Sequence, residues 1–462
     1  MRLFLAITVL VVVLASYLAP VRASVTSNDL PGDFMGMVIR DPHYEWNTNP
    51  DYPNAVNQAF MDSMGQHLAA AGVRWVRFEF RAEDGIPYDP NNPLQGLRLE
   101  QYDYFVNTVA PRHNLKILGL LATNLVRNPG YIHPEEIERI GSEYDVPNCE
   151  SYKYGCGTNP YMRIWLDRAF AIADRYQNKI AGYEVMNEEN RYIDEYHSGN
   201  GISPGQMAKL MTKFYRVFKV TGPKDPAGSG HLGYPGWRSN VRLILGGIHP
   251  GRCNDCITES GTSMTDREYL DAIYKSQPFQ DFRRDYPAVG YPVDGIAYHP
   301  YPLEIHSQLV PEPTGAEELY RVPERMEAMH QVMLANGDVR SKIWVTEIGD
   351  RGTPFDPDNQ HRQAEFLRTI YRMLWQQRDF VSTVFWFKYE DFDVANGGGN
   401  WGVVRLHSRT PTADCPTCEY APEGSVQVFK ESYRAYTEIA TQGIGQETYS
   451  IYLPIVWQGA AP

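Results

Sequence analysis

The stretch 180-IAGYEVMNEEN-190 decides how the chain is read. It begins as a short run that is apolar on both parities, the pattern of a strand covered on both faces, and it ends in the polar cluster Asn187, Glu188, Glu189. Seven other runs share the first property. They are FMGMVIR from Phe34, VRWVRFEF from Val73, LKILGLLAT from Leu115, VRLILGGI from Val241, VDGIAYH from Val293, KIWVTEIG from Lys342 and STVFWFK from Ser382.

Helical patterns separate the runs, over Asn54–Ala71, Tyr161–Tyr176, Gly205–Val220, Glu317–Ala335 and His361–Trp375, with a last helix expected near Ser425–Thr441. Eight strands alternating with helices predict an α/β fold, a (β/α)8 TIM barrel with long loops on its C-terminal face. An open doubly wound sheet is the alternative, but no glycine-rich dinucleotide or P-loop fingerprint follows the first strand. Two long connections, 124–159 and the one after the fifth strand, leave the strand ends where such a barrel builds its site.

The chain of 462 residues carries 43 Lys and Arg against 56 Asp and Glu, a formal charge of −13. That balance argues against nucleic acid and anionic membrane as partners, since both reward excess basic charge. Arg2, the apolar stretch Leu3–Ala15 and Val21-Arg22-Ala23 read as a signal peptide over 1–23 cut after Ala23. An uncleaved anchor is the minority reading. The remaining divisions are a catalytic domain over 24–440 and a tail over 441–462. Export implies a secreted or cell-surface protein with no membrane contact after cleavage. Six cysteines fall as three close pairs, Cys149/Cys156, Cys253/Cys256 and Cys415/Cys418, which an oxidising compartment would close as local disulfides. The two CxxC pairs also have zinc-like spacing, a weaker reading for an exported chain.

Glu188 closes the fourth run and Glu347 closes the seventh. In a closed barrel those two ends face each other across the mouth. Acetal hydrolysis needs an acid for the leaving oxygen and a carboxylate at the anomeric carbon, so two carboxylates flanking one bond suit it. The strand ends resemble clan A of the glycoside hydrolases, from about Phe34 to Glu438. YEVMNEEN is similar to the Asn-Glu motif of the clan, and more narrowly to the E-V-W-N-E-P pattern of family 39, with Met186 in place of Trp and Glu189 in place of Pro. WVTEIG also has the form common in family 5.

The resemblance implies a retaining enzyme acting on β-linked oligo- or polysaccharides without a cofactor or metal. It implies Glu188 as acid/base, Glu347 as nucleophile, Asn187 as a ligand of the sugar 2-hydroxyl, and Arg77 as the group holding the nucleophile. His299 and Tyr301 match an H-x-Y element, and Trp386 matches the tryptophan flooring the subsite, with a core tryptophan as the competing reading. Asn124 reads as a loop cap, with substrate binding as the alternative, and Glu184 as the partner of a buried base. Asp350, Asp391 and Asp393 read as solvated loop carboxylates, with binding of sugar hydroxyls by one of them as the alternative. Glu189 is the alternative acid. Two rivals are a non-catalytic carbohydrate-binding barrel and a metal-dependent hydrolase. The second would need a His and Asp cluster that His299 and His249 alone do not supply.

Overall fold

Strands β1 (Met35–Val38), β2 (Trp75–Glu79), β3 (Lys116–Leu121), β4 (Gly182–Asn187), β5 (Arg242–Ile248), β6 (Gly295–Tyr298), β7 (Lys342–Ile348) and β8 (Val381–Trp386) pair in chain order. Each runs parallel to the next, and β8 pairs parallel to β1, so the sheet closes as a (β/α)8 barrel. All eight coincide with the eight apolar runs. The structure, a computed structural model, describes residues 32–44, 57–83, 85–126, 153–190, 202–221, 236–250, 264–302, 319, 321–392, 399–407 and 425–444. The expected signal peptide, the tail beyond 444, Asp393, most of both long connections and every cysteine but Cys156 lie outside these residues. Cys156 is disulfide-bonded. Among the described residues no helix is long and apolar enough to cross a membrane.

The barrel interior is filled near its amino-terminal end by Val38, Trp75, Leu118, Ile244, Ala297, Trp344 and Phe385. Trp75 and Trp344 meet edge to face, with centroids 5.3 Å apart. Glycines make room for these rings: a Cβ on Gly295 would lie 2.6 Å from the Trp344 indole nitrogen, and one on Gly36 would lie 2.7 Å from Phe385. Strand side chains alternate with period two. The inward residues above Trp75 are therefore Arg77 and Glu79, and the one above Trp344 is Thr346. An apolar plug below thus hands the upper barrel a ring of polar side chains.

Helices Gln58–Ala70, Pro160–Tyr176, Pro204–Tyr215, Val322–Ala335 and Pro357–Gln376 fall where the apolar spacing predicts them. Several start at side-chain caps, as where Asn159 Oδ1 accepts from the Met162 amide at 2.8 Å. The helices Leu99–Tyr104, Asp266–Lys275 and Gln277–Asp285 have no counterpart in the sequence reading. The expected last helix is shorter than the sequence suggests. Val426–Phe429 forms a strand, β10, antiparallel to β9 (Val404–Leu406), and the helix is Glu431–Gln442. Val426, Val428 and Phe429 favour the extended state, and the helix begins only after Lys430.

Lys430 is fully buried and donates to Asp391 at 2.6 Å and to the Gly352 carbonyl at 2.6 Å. Asp391 also accepts from the Gly402 amide at 2.9 Å. The pair ties the start of the last helix to the segments that follow β7 and β8. The expectation that Asp350 and Asp391 are solvated is corrected. Asp391 is enclosed with Lys430, and Asp350 is buried beside Arg362 at 2.8 Å. Lys430→Met should destabilise the fold by about 3–5 kcal/mol, because Asp391 would keep a buried charge without its partner. Urea unfolding of Lys430→Met against Lys430→Met/Asp391→Leu checks this, with the double variant expected to recover part of the loss.

Candidate active site

Four strands deliver the polar ring. Arg77 on β2 is buried and donates four hydrogen bonds. Nε goes to Glu184 Oε2 at 2.6 Å and Nη2 to Glu184 Oε1 at 3.2 Å. Nη2 also reaches Asn187 Oδ1 at 2.6 Å, and Nη1 reaches Glu347 Oε1 at 2.7 Å. Burial alone would disfavour the charged guanidinium, but Glu184 and Glu347 outweigh it and push its pKa up. Glu184 is the expected partner of a buried base, and that base is Arg77.

On β4 the alternation breaks. Met186 and Glu188 both take the left-handed backbone region, at φ 69° and 49°. The break lets Asn187 reach Arg77 while Glu188, one residue on, turns to His299. The Glu188 amide is anchored on the Gly247 carbonyl of β5 at 2.9 Å. Left-handed backbone at non-glycine residues costs on the order of 1–3 kcal/mol and persists only where the surroundings impose it.

His299 follows β6 and is fully enclosed. Its Nδ1 lies 3.1 Å from Glu188 Oε1, and its Nε2 lies 3.0 Å from Thr346 Oγ1. Tyr301 donates its hydroxyl to Glu347 Oε2 at 3.2 Å. Burial opposes a charged imidazole, but Glu347 and Glu188 outweigh it, so His299 titrates above the ordinary histidine value. Glu188 and Glu347 are 12% and 13% exposed, so both reach the mouth. One oxygen of each carboxylate and a ring nitrogen of His299 all lie within 4.8 Å of one another. Both ring nitrogens are committed to Thr346 and Glu188, and Glu347 to Arg77 and Tyr301.

The structure brings together Arg77, Asn187, Glu188, His299, Tyr301 and Glu347, and leaves Trp386 out. Trp386 was expected to floor the mouth. It is fully buried and faces the helix layer, its ring 6.0 Å from Phe366. The reason is parity: Phe385 points into the barrel, so Trp386 points out and Phe387 points in again. The aromatic group that continues from Tyr301, the donor to Glu347, consists instead of Trp401 and Phe387. Trp401 lies 5.6 Å from Tyr301 and 6.0 Å from Phe387, and both Trp401 and Phe387 are partly exposed. Alternation counted from an inward Phe385 would have found Phe387. No local signal points to Trp401, which arrives from the segment after β8.

Asn124 donates to both oxygens of Glu79, at 2.8 and 3.0 Å, beside Arg81. Glu79, at the end of β2, is a further acidic group the sequence reading passed over, and burial raises its pKa to about 6. His249 pairs through its backbone with the Asn190 side chain, at 2.8 Å in each direction.

Glu189, the alternative acid, is fully buried, and neither side-chain oxygen has a hydrogen-bond partner among the described residues. Burial pushes its carboxyl up to about 8. An acid whose folded pKa is raised keeps its proton while the unfolded chain gives its own up. Stability therefore falls as pH rises from the ordinary carboxyl value toward 8, by about 1.4 kcal/mol per pH unit. Glu189→Gln is expected to leave the melting temperature nearly unchanged at pH 4 and to raise it at pH 8. Thermal unfolding at both pH values checks this.

No family model matches this chain, and no curated protein matches it. Solved structures do. A family 1 β-glucosidase from Thermotoga maritima is 10% identical over 90% of this chain and 99% of that chain, with a TM-score of 0.52. A Thermotoga maritima β-glucosidase in complex with noeuromycin is 11% identical over the same shares, with a TM-score of 0.53. A family 39 glycoside hydrolase from Bacteroides cellulosilyticus WH2 is 15% identical over 89% of this chain, with a TM-score of 0.46, and the match spans 64% of that chain. At such identities the likeness is one of fold. What the chain shares with them is the (β/α)8 barrel.

Proposed function

We propose that the chain is a retaining glycosidase of β-linked oligo- or polysaccharides, with Glu347 as nucleophile and Glu188 as acid/base. The observation that carries the reading is the pair of carboxylates at the carboxyl ends of β4 and β7, with an oxygen from each within 4.8 Å. Retaining enzymes hold their carboxyl groups about 5–5.5 Å apart, and inverting ones about 6.5–9.5 Å, to admit a water. An oxygen pair this close supports the retaining reading over the inverting one.

The surroundings support the division of labour. Glu347 accepts from Arg77 and Tyr301, two donors that fix the orientation of its carboxyl group. Glu188 faces an imidazole instead, a partner with which a proton can be exchanged. In the first step a Glu347 oxygen bonds to the anomeric carbon, the bond to the leaving oxygen breaks, and Glu188 gives that oxygen its proton. In the second, water gives a proton to Glu188 and bonds to the same carbon, and the ester to Glu347 breaks. The partly exposed rings of Trp401 and Phe387 suit the apolar face of a sugar.

Proton NMR of the first product formed from an aryl β-glycoside tests the proposal. The expected result is the β-anomer. A first-formed α-anomer would overturn the double displacement. A chain that binds oligosaccharide but turns none over would be the non-catalytic barrel. The reading extends to location: the mature protein is exported and begins at Ser24, with its cysteines in local pairs. Amino-terminal sequencing of protein recovered from the medium checks this, and a start at Met1 overturns it.

A further inference from the structure

We propose that Thr346 and Glu184 are positioning residues for the acid/base, fixing the tautomer of His299 so that its Nδ1 shares a single proton with Glu188. The inference rests on the assignment of Glu188 above and deepens it.

The hydrogen bonds have a direction that can be followed from one end. A guanidinium only donates. Arg77 donates to both oxygens of Glu184, so Glu184 offers its remaining partner lone pairs alone. That partner is the Thr346 hydroxyl, 2.9 Å from Glu184 Oε1. The one hydroxyl proton is thereby committed to Glu184. Toward His299 Nε2, at 3.0 Å, Thr346 Oγ1 can then only accept, so Nε2 carries a proton.

A neutral imidazole protonated at Nε2 presents a lone pair at Nδ1. Glu188 Oε1 stands 3.1 Å from that atom, a hydrogen-bond distance between two acceptors unless one proton lies between them. The pair therefore holds a proton in the resting protein, on the carboxyl or on the ring. The ring packs closely on the backbone of β5. A Cβ on Gly247 would sit 2.0 Å from Nε2.

The charged groups facing the ring all come from this site. Glu184 lies 4.0 Å from Nε2, and Glu347 and Glu188 lie 3.9 and 3.1 Å from Nδ1. Arg77 and the buried Glu189 act from further off. Raising the ring's proton affinity is their net effect, consistent with a proton retained in the pair. During turnover the shared proton leaves with the aglycone oxygen. The carboxylate that remains then faces a lone pair, which favours its taking a proton back from the attacking water. The balance needs no other reactant.

Nitrogen-15 NMR of the histidine rings in the wild-type protein is the first test. His299 is expected to carry its proton at Nε2, and a neutral ring protonated at Nδ1 would overturn the proposal. Thr346→Val removes the acceptor at Nε2 and frees the ring to donate from Nδ1, which stabilises the Glu188 anion. The alkaline limb of kcat/KM should then move down by about one pH unit. The loss should be larger for a phenyl than for a 2,4-dinitrophenyl glycoside, because only the former needs a proton on its leaving oxygen. Thr346→Ser should restore the wild-type limb. An unmoved limb in Thr346→Val, or an equal loss on both glycosides, overturns the relay. Glu188→Gln is run beside it. If that variant keeps full activity on the phenyl glycoside, the assignment of Glu188 fails. If it behaves as assigned while Thr346→Val leaves the limb in place, the relay alone fails.

Discussion

Glu347→Gln is expected to leave at most about 10⁻⁴ of the wild-type kcat on any β-glycoside, because losing a nucleophile removes the covalent route entirely. The substitution keeps the shape of the side chain and its contacts with Arg77 and Tyr301, so the fold should survive. Circular dichroism should be unchanged while turnover vanishes. Glu188→Gln should behave differently. On a phenyl glycoside it should cost about 10²–10⁴-fold, the usual worth of general acid catalysis. On a 2,4-dinitrophenyl glycoside the first step needs little protonation, so the glycosyl-enzyme should accumulate. Azide, a nucleophile that requires no general base, should then speed its breakdown and yield a β-glycosyl azide. Equal losses on both leaving groups, or a Glu347→Gln protein with ordinary turnover, would remove the basis for the assigned roles.

Arg77→Met is expected to cost about 3–5 kcal/mol of folding stability as well as most activity. The guanidinium is buried and serves Glu184, Asn187 and Glu347 at once. Its removal leaves Glu184, itself fully buried, with the Thr346 hydroxyl as donor and His299 Nε2 4.0 Å away. Arg77→Lys should not rescue it, since an ammonium cannot reproduce the planar fork that spans three acceptors. Adding Glu184→Gln to Arg77→Met should recover part of the stability but none of the activity, because Glu347 remains unheld. Urea unfolding of the three variants gives the answer. A loss below about 1 kcal/mol in Arg77→Met would mean that water reaches the cluster.

The barrel was readable because a parallel sheet buried on both faces leaves a local mark, a short apolar run of both parities, and all eight strands carry it. Helix Asp266–Lys275 had a mark as well, the Thr265 and Glu268 capping box, yet its charged surface hid the apolar spacing. Val426–Phe429 was misread because a short alternating segment before a helix looks like that helix's first turn. Trp386 was misassigned for a subtler reason. Identity and approximate position fit, but one residue of register reverses the face a strand residue presents. The pairing of β7 with β8 is itself irregular there, shifting between Val345 and Ile348.

The sequence by itself determined the eight strands, their order, and the arrival of Glu188 and Glu347 at the ends of the fourth and seventh, since those depend on patterns only a few residues long. Tertiary structure alone decided which atoms face each other. Arg77 meets Glu347 across 270 residues of chain, and His299 meets Thr346 across 47. It also decided that Trp401 rather than Trp386 packs against Tyr301, the residue that donates to Glu347. Hydrogen-bond direction and strand parity are properties of the closed barrel, where one strand's inward side chains acquire partners only after the other seven have come round to meet them.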